Sequence, residues 1–345
     1  LKKKLILLGI IAIILSLAAY VFFKEKDYSG TYKGVYWKDH SKGVSLKDAK
    51  QKIETVLTLE KNGTISNAKI DFLVLKNGKW IARNDPEADV SVDFSVDPVA
   101  AAPGSDYKNG ISMFNIKTND MMGFYAVAVD DDGTVALVIL DAVIRYQLEA
   151  KFEPGFDFNS KFRDLTINRG LVPTVRASKS GLLKPKDWSE LEGKHLYAIH
   201  PYNNVIKNRG ILKGTDGNST LLEFLTALGV EFKTGVPEKM DVKYGFHSNG
   251  GWKGNYDAIE NYLIGKNANE VKSLIDWSSN RYSESINKNN YFGIDLTAGA
   301  TKTVQNSFEG IAGATVRMSR ENTSYMAALV EAGILDEKDV IKGRF

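Results

Sequence analysis

Polar and apolar residues alternate along GTYKGVYW, Gly30–Trp37, and that period predicts a half-buried strand. The same alternation fills ETVLTLEKNGTISNAKIDFLVL. It breaks at Asn62-Gly63, a pair suited to a positive-φ turn, so the stretch predicts a hairpin. GFYAVAVDDDGTVALVILDAVI repeats the grammar. With Gly63 over Gly133, Leu57 meets Val127, Leu59 meets Val129, Thr64 meets Thr134, Ile65 meets Val135, Ile70 meets Leu140 and Asp71 meets Asp141. The register implies an internal duplication, or two hairpins of one design. Between them, NDPEADVSVDFSVDPVAAAPGSDYKNG holds three of the eight prolines and predicts a loop-rich connection with one short strand. A second loop-rich stretch, VPTVRASKSGLLKPKDW, predicts a domain boundary between residues 170 and 190.

Beyond that boundary the apolar spacing turns helical. STLLEFLTALGVEF predicts a helix capped by Ser219 or Thr220 and stopped at Gly229. NYDAIENYLIG, NANEVKSLIDWSSNRYSESI (starting at Asn267 or Asn269) and SRENTSYMAALVEAGI (ending at Gly333) predict three more. The aromatic, glycine-rich YGFHSNGGWKGNY reads as a loop between two of them. Hairpins followed by helices predict an α+β fold, hairpin-rich and antiparallel in its N-terminal part and more helical in its C-terminal part. The expected division is 1–27 for basic residues and anchor, 28–180 for a β-rich domain and 181–345 for an α+β domain.

The anchor is the one long apolar run. Lys2, Lys3 and Lys4 precede an uncharged stretch from Leu5 to Phe23, and Lys24 follows. Such a helix is roughly 28 Å long, about the thickness of a hydrocarbon core. It is longer than a signal-peptide core, and Tyr20, Val21, Phe22 and Phe23 follow its only small pair, so an uncleaved anchor is expected, with a cleaved signal as the alternative. Either way the lysines stay cytoplasmic and the rest of the chain lies outside.

Composition narrows the chemistry. The 345 residues carry a net charge of only +3, with both signs intermixed, which gives no basic face for nucleic acid. The absence of cysteine excludes disulfides, thiolate nucleophiles, Cys-ligated zinc and Fe–S clusters, and a lipobox. His195 and His200 stand five apart in KHLYAIHPY, read as strand and turn, which is not the spacing of a helical zinc pair. No nucleophile elbow, P-loop or dinucleotide fingerprint stands in its required context. Neither a catalytic residue nor a metal ligand is assigned.

DLTAGATKTVQNSFEGIAGATVRMSREN contains Gly-Ala-Thr twice. Asp295 stands six positions before Thr301, and Glu309 six before Thr315. Gly299 and Gly313 allow close backbone approach, and Ala300 and Ala314 leave room beside it. A threonine where a helix begins puts a bound phosphate against free N–H groups, with Lys302 or Arg317 to balance its charge. Taken alone, these residues read first as an ordinary threonine N-cap after a small-residue turn.

The segment resembles the FMN-binding domain family, which includes flavin subunits of the sodium-pumping NADH:quinone oxidoreductase and Rnf complexes and extracellular flavoproteins. Members carry FMN on a threonine of a motif close to D-x-x-(S/T)-G-A-T, often with x-(S/T) next, attached by a flavin transferase that uses FAD. The first copy here supplies Asp295, Gly299, Ala300, Thr301 and Thr303, and departs at Ala298. The second supplies Gly310, Gly313, Ala314 and Thr315, and departs at Glu309 and Ala312. The early Asn-Gly hairpin also looks like the start of such a domain. The resemblance implies Thr301 as the attachment residue, since its copy keeps Asp295, with Thr315 as the alternative or second site. Trp252, Tyr256, Tyr291 and Phe292 are candidate neighbours for the flavin ring.

The expected protein is therefore a membrane-anchored, extracytoplasmic FMN carrier that passes electrons to or from a partner protein or quinone, rather than an enzyme with its own substrate. Two other readings stand beside it. One is a cell-envelope binding or structural module whose Gly-Ala-Thr turns are helix caps. The other is a reductase whose small-molecule acceptor binds near YGFHSNGGWKGNY.

Overall fold

The computed structural model describes residues 26–85, 87–104, 108–118, 123–141, 143–177, 183–199, 210–275, 318–343 and 345, without the side chains of 248–250. The apolar run at 5–23 lies outside them, and among the described residues no helix is long and apolar enough to cross a membrane. Strand exceeds helix, 36% to 23%, so sheets carry the fold and a few helices cover them.

The first sheet is antiparallel, in the order β1 (Gly30–Trp37), β2 (Gln51–Leu59), β3 (Ile65–Lys76), β4 (Lys79–Ala82). Its inward positions alternate as the sequence pattern requires: Ile53, Leu57, Ile70 and Phe72 are fully buried. The β2–β3 turn is longer than a two-residue Asn-Gly turn. Gly63 takes φ 87°, but the closing bond runs from the Glu60 amide to the Thr64 carbonyl (2.8 Å), and the Asn62 carboxamide accepts from the Thr64 amide (2.9 Å). The two-residue turn with both φ positive is Asn77-Gly78 (49° and 75°), between β3 and β4.

Two small strands, β5 (Ala88–Val92) and β6 (Phe114–Thr118), pair with each other on one face of a six-stranded sheet. That sheet contains β7 (Phe124–Val129), β8 (Val135–Leu140), β9 (Tyr146–Phe152), β10 (Thr166–Ile167), β11 (Gly170–Arg176) and, after the small β12 (Phe232–Lys233) and β13 (Val236–Pro237) hairpin, β14 (Met240–Phe246). Its order is β10-β11-β9-β8-β7-β14, and only the β10–β11 pair is parallel. The helical segments are α1 (Leu196–Ile199), α2 (Leu221–Leu228), α3 (His247–Leu263) and α4 (Ser319–Glu331). α1 and α2 cover the other face of the six-stranded sheet, so β7 and β8 are buried on both sides. This is why FYAVAV and VALVIL are unbroken apolar runs, whereas β2 alternates. The Gly63/Gly133 register nonetheless holds at the turns. Leu59 pairs with Ile65 and Val129 with Val135, and Gly133 repeats the positive φ at 85°.

The cores are nested rather than consecutive along the chain. α3 and α4 pack on the first sheet, joining Ile53, Leu57 and Phe72 to Tyr256, Leu263, Tyr325 and Leu329. The core between them in sequence runs from Ala101 to Val230. Each of these two cores thus draws on residues from both sides of residue 180. The seam is the step from β14, paired with β7, into α3, packed on β3.

α2 has the expected ends: a Thr220–Glu223 capping box and Gly229 at φ 105°. α4 also stops as expected, with Gly333 at φ 66°. Four local expectations change. YGFHSNGGWKGNY is helical from His247 onward, with Gly251 at φ 68° inside α3. Burial of Trp252 and Tyr256 and a bond from the His247 amide to the Gly123 carbonyl (2.8 Å) outweigh the poor helix propensity of its glycines. Residues 267–275 form turns instead of a helix. Asn267 donates to the Asn62 carbonyl (2.9 Å) and accepts from the Asn269 amide (2.9 Å), which fixes the chain to the β2–β3 turn. The LYAI of KHLYAIHPY is the helical turn α1, and the start of VPTVRASKSGLLKPKDW belongs to β11.

Glu149, fully buried on β9, ties the small β5–β6 sheet to the large one. It accepts from Ser112 Oγ (2.5 Å), the Met113 amide (2.8 Å) and Thr174 Oγ1. Burial raises its pKa above the ordinary 4.5, and the three hydrogen bonds offset only part of that. A raised folded pKa gives stability that is full below the unfolded value and lost as pH rises through the folded one. Glu149→Gln should therefore gain in Tm relative to the parent as pH is taken from below 4.5 to neutrality. A Tm difference independent of pH would contradict this.

Candidate functional site

The motif residues Asp295, Gly299, Ala300, Thr301, Thr303, Gly313, Ala314 and Thr315 lie outside the described residues, as do Tyr291, Phe292, Lys302 and Arg317. The described chain resumes at Met318, three residues after Thr315. Met318 is itself the N-cap of α4, and its own side chain makes no capping hydrogen bond.

The head of α4 meets the inner face of the first sheet at a cluster of rings and arginines. Phe72, buried on β3, stands edge-to-face with Trp252 of α3 and with Phe345, both at 5.8 Å between centroids. The Arg320 guanidinium, in the first turn of α4, lies 4.6 Å from the Phe72 ring, 5.3 Å from Trp252 and 5.6 Å from Phe345. Arg83, just past β4, is 5.1 Å from Phe72 and 5.2 Å from Trp252. Its position follows from the backbone, because the Arg83 amide donates to the Phe72 carbonyl (2.6 Å). Two cations share the same rings, each contact worth about 0.5–1 kcal/mol.

Glu321 is the counter-charge. It is fully buried, accepts from the Tyr256 hydroxyl through Oε1 (2.8 Å) and lies 3.3 Å from Arg320. Its Oε2 has no hydrogen-bond partner among the described residues. Burial first, then the charge of Glu321, pushes the Tyr256 phenol well above its ordinary range, so Tyr256 stays a donor. Arg83 and Arg320 both lie over the rings, and Glu321 is the partner of Arg320. Cations at the head of a helix suit an anionic group. The sequence-predicted Trp252 and Tyr256 are brought together here. Phe72, Arg83, Arg320, Glu321 and Phe345 were missed, and the only signal for any of them was the charged Arg320-Glu321 pair directly behind the second motif.

The histidines offer less. His200 lies outside the described residues, and His195 packs against Phe162 and Tyr197, where desolvation lowers its pKa. Burial drives His247 down to about 4, which keeps it neutral. Burial also raises Tyr197 to about 12, beside Thr215. Among the described residues no group of His, Asp and Glu could hold a metal ion. Compared with known proteins, the chain matches no family model, no curated protein and no solved structure.

Proposed function

We propose that this chain is an extracytoplasmic flavoprotein, held to the membrane by residues 5–23 and carrying FMN on a threonine phosphoester for electron transfer. In fold terms it is α+β, with an antiparallel, hairpin-rich start and a helical close. The observation that carries this reading is the Arg83–Phe72–Trp252–Arg320 cluster at the head of α4. The second motif's threonine stands three residues before Met318 in the sequence, and three residues of chain span at most about 11 Å. When bound, FMN supplies the redox chemistry. The chain supplies positive charge at Arg83 and Arg320, a ring cluster of Phe72 and Trp252 that backs them, and a Tyr256–Glu321 bond that fixes Arg320.

Maturation then requires a flavin transferase, and turnover a redox partner protein or quinone. Asp295 puts Thr301 first by motif, whereas the cluster favours Thr315, which stands next to it in sequence. Co-expression with a flavin transferase should give yellow protein, fluorescent in a denaturing gel and heavier by one FMN. We expect Thr315→Ala to abolish that fluorescence and Thr301→Ala to retain it. The opposite pattern returns the attachment to Thr301. Colourless protein of unmodified mass would sink the flavin reading in favour of a non-catalytic envelope module.

A further inference from the structure

The first described residues enter one end of the first sheet. Lys26, the first described residue, donates from Nζ to the Gly333 carbonyl at the end of α4 (2.6 Å), and its ammonium lies 5.0 Å from the Tyr28 ring. The Tyr28 amide donates to the Lys61 carbonyl at the β2–β3 turn (3.1 Å), and the Tyr32 hydroxyl to the Tyr28 carbonyl (3.0 Å). Asp27 holds Ser29 through its amide and hydroxyl. No slack chain is left between Lys26 and β1. Phe23, where the apolar run ends, is three residues away, or at most about 11 Å of chain.

The same end gathers the turns of several elements. The Ile65 amide donates to the Lys266 carbonyl, and the Gly265 amide to the Ile65 carbonyl, both at 2.8 Å, so the end of α3 meets the β2–β3 turn. This face presents Ile264, 44% exposed, with Tyr28 and a Lys266 ammonium 4.6 Å from the Tyr262 ring. Aliphatic, tyrosine and lysine side chains suit the water–lipid boundary. Asp27, Glu60 and Glu270 stand close in sequence to Lys26, Lys61 and Lys266, so neutral phosphatidylcholine is the lipid for the test.

We propose that this face rests on the bilayer surface with Ile264 at headgroup level, the elements of the first sheet running away from the membrane. The proposal rests on the anchored reading of residues 5–23. The chain has no native cysteine, so single labels are clean. Ile264→Cys and Lys61→Cys would be labelled with a fluorophore in the full chain, reconstituted in phosphatidylcholine vesicles containing a headgroup-linked quencher. Lys42→Cys, just past the far end of β1 and about 26 Å along the strand, is the control. Quenching several-fold stronger at 264 and 61 than at 42 is expected. Equal quenching in chain that floats with the vesicles overturns this orientation and leaves the anchor standing. Chain that does not float overturns the anchor, and the orientation with it.

Discussion

Gly34→Ala will destabilise the first core by about 3 kcal/mol, at the upper end of what overpacking normally costs. A Cβ at Gly34 would fall well inside contact distance of the Ser324 carbonyl oxygen and the Ala328 amide nitrogen. Both are backbone atoms of α4, and neither can rotate away. The helix cannot slide either, since Thr55 Oγ1 and Ser324 Oγ are 2.7 Å apart and the Lys33 amide donates to Glu331. The sign is diagnostic. Within a strand, alanine is ordinarily better than glycine by about 0.5–1 kcal/mol, so destabilisation here has to come from the helix above. Urea unfolding should show a clear fall in midpoint with an unchanged slope. Gly78→Ala tests a different cost, because it has φ 75° and open space around its Cβ; it should lose less. A Gly34→Ala midpoint equal to that of the parent would mean that α4 does not lie on β1.

Phe72→Ala will cost about 3–5 kcal/mol, as expected when a buried phenylalanine is truncated. Phe72 is fully buried and shares edge contacts with Trp252 and Phe345. Volume loss and loss of the ring can be separated. Phe72→Leu keeps most of the apolar bulk but removes the face that Arg83 and Arg320 share. A double-mutant cycle of Phe72→Leu with Arg320→Met should return a coupling of about 0.5–1 kcal/mol. Zero coupling would show that the guanidinium gains nothing from the ring. On the proposed flavin reading, Phe72→Leu should also shift the absorption of the flavin while leaving its attachment intact.

Much of the scaffold was legible because it rests on local chemistry. Alternation in β1 and β2, the Thr220–Glu223 box and the glycine stops at 229 and 333 are short-range signals, and all appear in the structure. The site was less legible because its residues lie far apart in the chain and several are polar. Ser319, Glu321, Asn322, Thr323 and Ser324 are consecutive or nearly so, and all are buried. A hydropathy pattern marks such a run as solvent-facing. Much of it can be buried because four of these side chains find distant partners: Asn322, for one, accepts from the Leu274 amide (2.7 Å), and Thr323 from the Gly343 amide (2.7 Å). The glycine-rich segment before Trp252 was misread for the complementary reason: a local rule against helix was overridden by packing on the first sheet.

The nesting of the two cores sets an order of events during synthesis. The strands of the first sheet are complete by Ala82, yet the helices that cover it begin only at His247 and Ser319. The bond from Lys33 to Glu331 closes a separation of 298 residues. The intervening core, from Ala101 to Val230, has all its parts much earlier and can consolidate while the first sheet still waits uncovered. Because Arg320, Glu321 and Phe345 come from the late segment, the ring-and-arginine cluster is the last part of this fold to exist. The uncovered face of β2 and β3 is thus the surface most in need of protection in the interval.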